Sequence, residues 1–183
     1  MDGPRILCLV TTSPTNAATK AVAVNETWGR RCHILNRQGI VEVYRRYDGQ
    51  YDWLFKVDDD AYVVVENLAH LVDDDAYVVV ENLAHLVSQY RPTDPICCLK
   101  GSGVVVGDAR DELGEPRFFH FEPEYWLNPY KTIYERWAPM KKYQTYNYSA
   151  GMKCCSSTAI SFHYIKPDAM YVMEYLIYKL RVV

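Results

Sequence analysis

This sequence predicts an α/β fold with a substantially parallel sheet, on three observations. A β-rich run, Ile6–Val10, opens the chain, and a second apolar run, Asp52–Val57, follows after stretches with helical character. Strand, helix and strand in that order call for a crossover connection, which is how parallel strands are joined. The segments that follow the two runs, Thr11–Pro14 and Asp58–Asp60, lie at the carboxyl ends of strands, where such sheets bind ligands.

In chain order, Thr11-Thr12-Ser13-Pro14 breaks the first strand, and Thr15 or Asn16 is placed to cap a helix running through Trp28. Residues Val41–Tyr47 read as a second short helix before the Trp53 strand. Leu83–Tyr90, stopped by Arg91-Pro92-Thr93-Asp94-Pro95, reads as another. A Gly/Val stretch, Gly101–Gly107, leads to a Pro- and aromatic-rich region, 115–148, expected to be an ordered loop. At the end, Pro167 stands at a helix N1 with Asp168 in the first turn. Met170, Met173, Ile177 and Leu180 share a face expected to pack on the core.

Composition narrows the function classes. Of 183 residues, 49% are hydrophobic and 23% charged, enough apolar content for one domain with a core. A net charge of −3 and a pI near 5.9 argue against a nucleic-acid or anionic-membrane binder held by bulk charge. The 16 tyrosines suit a surface for sugars, which have one apolar face and many hydroxyls, but Tyr is also ordinary core filler. No apolar stretch is long enough to span a membrane, and Met1–Val10 lacks the pattern of a signal peptide. The six cysteines include two adjacent pairs, a spacing that suits no zinc site. Two sequons, at Asn25 and Asn147, would accept N-glycans in a secretory compartment.

Residues Val57–Leu71 recur without change as Val72–Leu86. Two identical copies are not a solenoid, which needs several diverged units with caps. They read as a recent tandem duplication or an assembly error. The strand Asp52–Lys56 precedes only the first copy, and the proline-stopped helix follows only the second. The first copy therefore has the native entry and the second the native exit.

The acidic triplet carries the chemistry. Three like charges at a strand end need a neutralising partner. Alternate residues of an extended loop point the same way, so Asp58 and Asp60 can converge on one hard cation while Asp59 faces elsewhere. Carboxylates suit Mg²⁺ or Mn²⁺, which leave positions for phosphate oxygens. An EF-hand is excluded, because its acids are spaced and flank a central glycine. A solvated acidic turn or helix N-terminus is the bland alternative.

Several blocks, in order, resemble the core 1 β1,3-galactosyltransferase family, and more widely the β1,3-glycosyltransferases of GT-A fold. They are Arg5–Pro14, Thr27-Trp28-Gly29-Arg30-Arg31-Cys32, Tyr51–Tyr62, Gly107–Asp111, Cys154-Cys155-Ser156, Ser161-Phe162-His163-Tyr164 and Met170–Arg181. The resemblance implies one GT-A-like catalytic domain over 1–183, inverting and Mn²⁺-dependent. It would transfer galactose from UDP-galactose to O3 of N-acetylgalactosamine on Ser or Thr of a glycoprotein. Asp58, Asp60 and His163 would hold the metal. Thr12, Ser13, Pro14, Asp58 and Asp59 would contact the donor, and Tyr146 and Tyr148 the acceptor. Cys8 and Cys32 are a candidate disulfide and Cys154–Cys155 a vicinal one, although sequence fixes no connectivity. A lumenal, type II setting in the Golgi membrane, a homodimer and a dedicated chaperone are further implications. A related β1,3-glycosyltransferase and a non-catalytic chaperone-like relative are the alternatives. Retention of Asp58–Asp60 argues against the latter, which lacks the triplet.

The chain also departs from the family. The Glu-Asp-x-x-x-Gly segment expected to hold the general base does not occur, and the sequence passes almost directly from Cys97-Cys98 to Gly103–Asp108. A second family segment is shortened near 33–40. Gln144 stands where the family tends to have Trp. No catalytic base is assigned, Asp111 and Glu115 being poor substitutes, and little or no transfer activity is expected of this chain.

Overall fold

Strand β1 (Ile6–Thr11) is buried along five of its six residues, as a strand covered on both faces must be. In this computed structural model, which describes residues 4–37, 40–74, 108–128 and 148–182, β1 is the centre of a three-stranded parallel sheet. β2 (Ile34–Asn36) lies on one side and β3 (Trp53–Asp58) on the other. The register runs from Ile6 opposite Trp53 to Thr11 opposite Asp58, so the two strands end level with each other. This is the parallel α/β arrangement the sequence asks for.

The crossover after β1 is more broken than a single helix. A 3₁₀ turn covers Pro14–Asn16, α1 covers Lys20–Glu26, and a second 3₁₀ turn covers Trp28–Arg31. The expected cap at Thr15 or Asn16 does not form, because both side chains are used elsewhere. The Thr15 hydroxyl pairs with Ser13, and the Asn16 amide donates to Asp59. Helix α2 (Ile40–Tyr47) then leads into β3.

A second, mixed sheet lies beyond the acidic turn. It joins β4 (Tyr62–Val63), antiparallel, to β6 (Ser161–Phe162), with β5 (Phe118–Phe119) parallel to β6 on its other side. The region expected to be loop thus supplies β5 and a short helix, α4 (Pro123–Leu127). Its residues 129–147, with the Asn147 sequon, lie outside the described residues, as do Leu83–Tyr90 and the Gly101–Gly107 stretch. The aromatic cluster around Phe119, Phe121 and Trp126 is continuous with Phe162 of β6.

The main core joins the sheet to the terminal helix, α5 (Pro167–Tyr178), through Ile6, Val10, Val24, Trp28, Tyr62, Ile165 and Met170. Cys8 of β1 is disulfide-bonded to Cys32, and Cys154 to Cys155. Gly29 permits the close approach of the Trp28–Arg31 turn, since a Cβ there would lie 2.8 Å from the Val24 carbonyl oxygen. The C-terminal face differs from expectation. Met170 is buried, but Ile177 and Leu180 are 43% and 49% exposed, and Glu174 is turned inward instead. Among the described residues, no helix is long and apolar enough to cross a membrane.

The opening residues of the duplicated block, Val-Asp-Asp, adopt two conformations. In the first copy, Val57-Asp58 ends β3 and Asp59-Asp60 forms the turn. In the second, Val72-Asp73-Asp74 completes helix α3 (Val65–Asp74). Context decides, because Trp53–Lys56 must already be paired with β1 for the acids to emerge at the strand end. Deleting 72–86 leaves the same chain as deleting 57–71, and it joins Leu71 to Val87 within a helical pattern. We expect the deletion to keep the fold and to change unfolding free energy by no more than about 1 kcal/mol, on the scale of loop closure. Chemical denaturation checks this, and a loss of cooperative unfolding would show that the second copy supports the fold.

Candidate functional site

The level ends of β1 and β3 put Thr11–Pro14 beside the acidic turn. Asp59 NH donates to the Thr11 carbonyl at 3.0 Å. The Asp59 carboxylate is buried and accepts from the Thr12 hydroxyl at 2.6 Å and the Asn16 amide at 3.3 Å. It therefore closes the 12–16 loop over the strand ends. Ser13 shares a hydroxyl hydrogen bond with Thr15 at 2.8 Å, and Pro14 is exposed at the start of the 3₁₀ turn.

Asp58 and Asp60 face the other way, towards His163. The His163 Nε2 atom is 2.9 Å from Asp60 Oδ1 and 3.8 Å from Asp58 Oδ2. Asp60 Oδ1 is fully buried yet takes part in no hydrogen bond, so its close contact with the imidazole is not aligned along an N–H. Two lysines supply counter-charge: Lys20 Nζ lies 3.1 Å from Asp60 Oδ2, and Lys56 Nζ 3.3 Å from Asp58 Oδ1. The structure thus brings Asp58, Asp60 and His163 together on one side of the turn, and Thr12 and Asp59 on the other.

His163 owes its position to both sheets. Its NH donates to the Phe119 carbonyl at 3.1 Å, and the Ile165 NH two residues on donates to the Asp60 carbonyl at 2.7 Å. The acidic turn and the 163–165 segment are therefore one hydrogen-bonded unit. A cleft of about 470 Å³ opens beside it, walled by Phe55, Phe118, Phe119, Phe121 and Tyr164, with Lys56, Asp58, His120, Ser161 and His163 among its polar groups. Burial and the neighbouring His163 lower the pKa of His120. A small number of polar groups in an aromatic cleft is the general form of an organic-ligand site.

The donor set suits a first-row divalent ion: two carboxylates and an imidazole, one oxygen of which has no other partner. Among the described residues, however, no three His, Cys, Asp or Glu side chains close into a metal-binding group. Lys56 and Lys20 hold two of the four carboxylate oxygens.

Tyr148 is half-buried, stacked on Trp126 at 4.7 Å, with its hydroxyl donating to the Phe118 carbonyl at 3.2 Å. Its ring is 6.0 Å from that of His120, at the cleft wall. Tyr146 lies outside the described residues. Asp111 organises its own loop: its carboxylate accepts from the NH groups of Leu113 and Glu115. Burial opposes its ionisation, but hydrogen bonds from Ser156 and these amides lower its pKa. Glu115 accepts from Ser149 at 3.3 Å. Sequence reasoning missed Lys20, His120 and Tyr164, which reach the site through tertiary packing. Lys20 had one faint signal, a cation at the start of the helix after the ligand loop.

No family model matches the chain. Among curated proteins it is similar to glycoprotein-N-acetylgalactosamine 3-beta-galactosyltransferase 1 of Xenopus laevis, at 28% identity over 247 aligned residues that take in 97% of this chain and 67% of that protein. The alignment is longer than the chain, so the relative has residues within the matched span that this chain lacks. The similarity to this galactosyltransferase runs along nearly the whole length of the chain.

Proposed function

We propose that this chain carries the donor-binding half of a core 1-type β1,3-galactosyltransferase and takes UDP-galactose with Mn²⁺. The observation that carries this reading is the Asp58–Asp60–His163 grouping at the carboxyl ends of β1 and β3, beside an aromatic cleft. Asp58, Asp60 and His163 would hold Mn²⁺, which when bound neutralises the diphosphate as a leaving group. Asp59 fixes the Thr12–Pro14 loop that would flank the nucleotide, through its bonds to Thr12 and Asn16. Lys20, 3.1 Å from Asp60, is placed to give up that contact and meet a phosphate oxygen.

Transfer would break the bond from galactose C1 to the β-phosphate oxygen. A new bond would form from C1 to O3 of N-acetylgalactosamine on Ser or Thr of a glycoprotein, with the O3 proton passing to a general base. The sequence lacks the acidic segment that would supply this base, with family segments absent near 33–40 and 98–103. We therefore assign donor binding to this chain and expect little turnover from it. The setting that fits is the lumen of the Golgi, with homodimerisation and a chaperone as partners of the type.

Two measurements test this. Mn²⁺ with UDP at a hundredfold excess over Kd is expected to stabilise the protein by about 2.7 kcal/mol. Asp60→Asn should remove that response, and an unchanged response in the variant would sink the assignment of Asp60. Incubation with UDP-galactose, Mn²⁺ and a GalNAc-peptide is expected to give no appreciable product. Robust turnover would show that a base is present after all.

A further inference from the structure

The outward face of α5 carries an apolar strip. Met170 and Glu174 turn inward, whereas Tyr171, Val172, Tyr175 and Leu176 are all exposed. A helix with apolar residues on its outer as well as its inner face is normally covered on both. Apolar residues exposed singly need no explanation, but four within two turns form a patch, which calls for a covering group.

Helix α1 borders that patch. Glu26, the last residue of α1, accepts a hydrogen bond from the Tyr171 hydroxyl, and Ala23 and Val24 pack with Met170 in the core. Val22, one turn before Glu26, is exposed as well. Asn25, next to Glu26, is exposed, and its side-chain amide has no hydrogen-bond partner among the described residues. Thr27 completes an Asn-x-Thr sequon. That threonine is wholly buried, with its hydroxyl donating to the Ala23 carbonyl at 2.6 Å. The folded sequon therefore offers its amide to solvent but locks its hydroxyl away. A sugar can be joined only before α1 packs, and the finished fold has room to keep it.

We propose that Asn25 carries an N-linked glycan whose first sugars lie over Tyr171, Val172, Tyr175 and Leu176. The inference rests on the lumenal setting of the transferase reading above, and adds a modified residue and the surface it shields. In the attachment step the Asn25 Nδ2–C1 bond forms as the bond from C1 of the first N-acetylglucosamine to a lipid diphosphate breaks. The amide gives up one proton, and the lipid diphosphate leaves. From Tyr171 to Leu176 the patch runs about 7.5 Å along the helix, a length that the first two sugars of a glycan span. The chemistry fits too, since the C–H face of a pyranose packs on tyrosine rings and leaves its hydroxyls to water. A bulky polar group placed there makes an apolar surface soluble.

The test produces the full chain behind a cleavable secretory leader in insect cells, so that the compartment is imposed. Peptide mass spectrometry after enzymatic release, which turns a glycosylated Asn into Asp, reads Asn25 separately from Asn147. Asn25 is expected to be modified, and Asn25→Gln to lose that glycan alone. Release is then carried out on the folded parent, which avoids any effect of the substitution on folding. Nitration of Tyr171 and Tyr175 should rise about twofold on release, as a bulky covering group is lost, and should not change when Asn25→Gln is treated in the same way. Asn25 found unmodified in secreted, folded chain overturns the proposal. So does nitration that release leaves unchanged: in a monomer the glycan then points elsewhere, and in a dimer with both tyrosines protected a second copy covers the patch. A chain glycosylated and shielded as described, yet indifferent to Mn²⁺ and UDP, would overturn the donor assignment and uphold this one.

Discussion

Replacing Glu174 with Ala is expected to destabilise the protein by about 3–5 kcal/mol, the usual effect of removing one partner from a buried charge network. Glu174 is 5% exposed. It accepts two hydrogen bonds from Arg31, at 2.7 and 2.9 Å, one from the Tyr62 hydroxyl at 2.9 Å, and one from Arg30. One carboxylate thus ties α5 to the Trp28–Arg31 turn and to β4, the strand that follows the acidic turn. Without it, the partly buried Arg31 would lose two of its hydrogen bonds and keep only Glu66, at 3.3 Å, and the Thr27 carbonyl as polar partners. Burial by itself would disfavour the charged form, but the hydrogen bonds from Arg31 and Tyr62 and the arginine charge outweigh it and lower the pKa. A lowered carboxylate pKa contributes stability that is fully present above the unfolded-state value, near 4.5, and is lost as pH falls through the folded value. Urea denaturation across that range should show the native protein weakening below about pH 4.5. Glu174→Gln should be weaker at neutral pH and nearly free of this limb. A Glu174→Ala protein within about 0.5 kcal/mol of the parent would mean that the network is solvated.

Glu174 also marks where sequence patterning stops being informative. The stripe Met170, Met173, Ile177, Leu180 is a fair helical face, and its first half packs on the core. The buried surface then continues through Glu174 and Tyr178, because Arg31 supplies a partner for both. Arg31 accompanies Glu174 in ion pairing and lies 3.5 Å over the Tyr178 ring. A polar residue can be buried only if its partner is known to arrive, and Arg31 comes from 143 positions away. By contrast, β1 and β3 were legible because their burial is set by local apolar runs. The Asp58–Asp60 turn was legible because charge at the end of such a run has no structural benefit. Tyr164 was not, since a positive φ at a tyrosine, 59° here, leaves no trace in composition or period. The duplication was legible as a repeat, but not in its outcome, since the opening Val-Asp-Asp became strand and turn at 57–59 and helix at 72–74.

Trp28→Ala is expected to destabilise by about 3–5 kcal/mol as well, and to affect the site more directly. Trp28 is wholly buried, and its Nε1–H donates to the Ala61 carbonyl at 2.9 Å. Ala61 NH in turn donates to the Asp58 carbonyl at 3.2 Å, and Tyr62 beyond it pairs with Phe162, the neighbour of His163. The indole thus supports the acidic turn from the core side, where Lys20, Thr12 and His163 do not reach. Natural domains are stable by only about 5–15 kcal/mol, so a milder variant is more informative than the alanine one. Trp28→Phe separates the two roles. It keeps most of the apolar volume but leaves the Ala61 carbonyl buried without a donor, a loss of about 1–3 kcal/mol. The released turn should hold Asp58 and Asp60 less firmly, so the stabilisation by Mn²⁺ and UDP should fall in Trp28→Phe by more than in a core substitution of similar destabilisation, such as Val24→Ala. Denaturation and ligand-induced melting shifts, measured on the same samples, decide it. Equal shifts in the two variants would make Trp28 a core residue without a part in positioning the site.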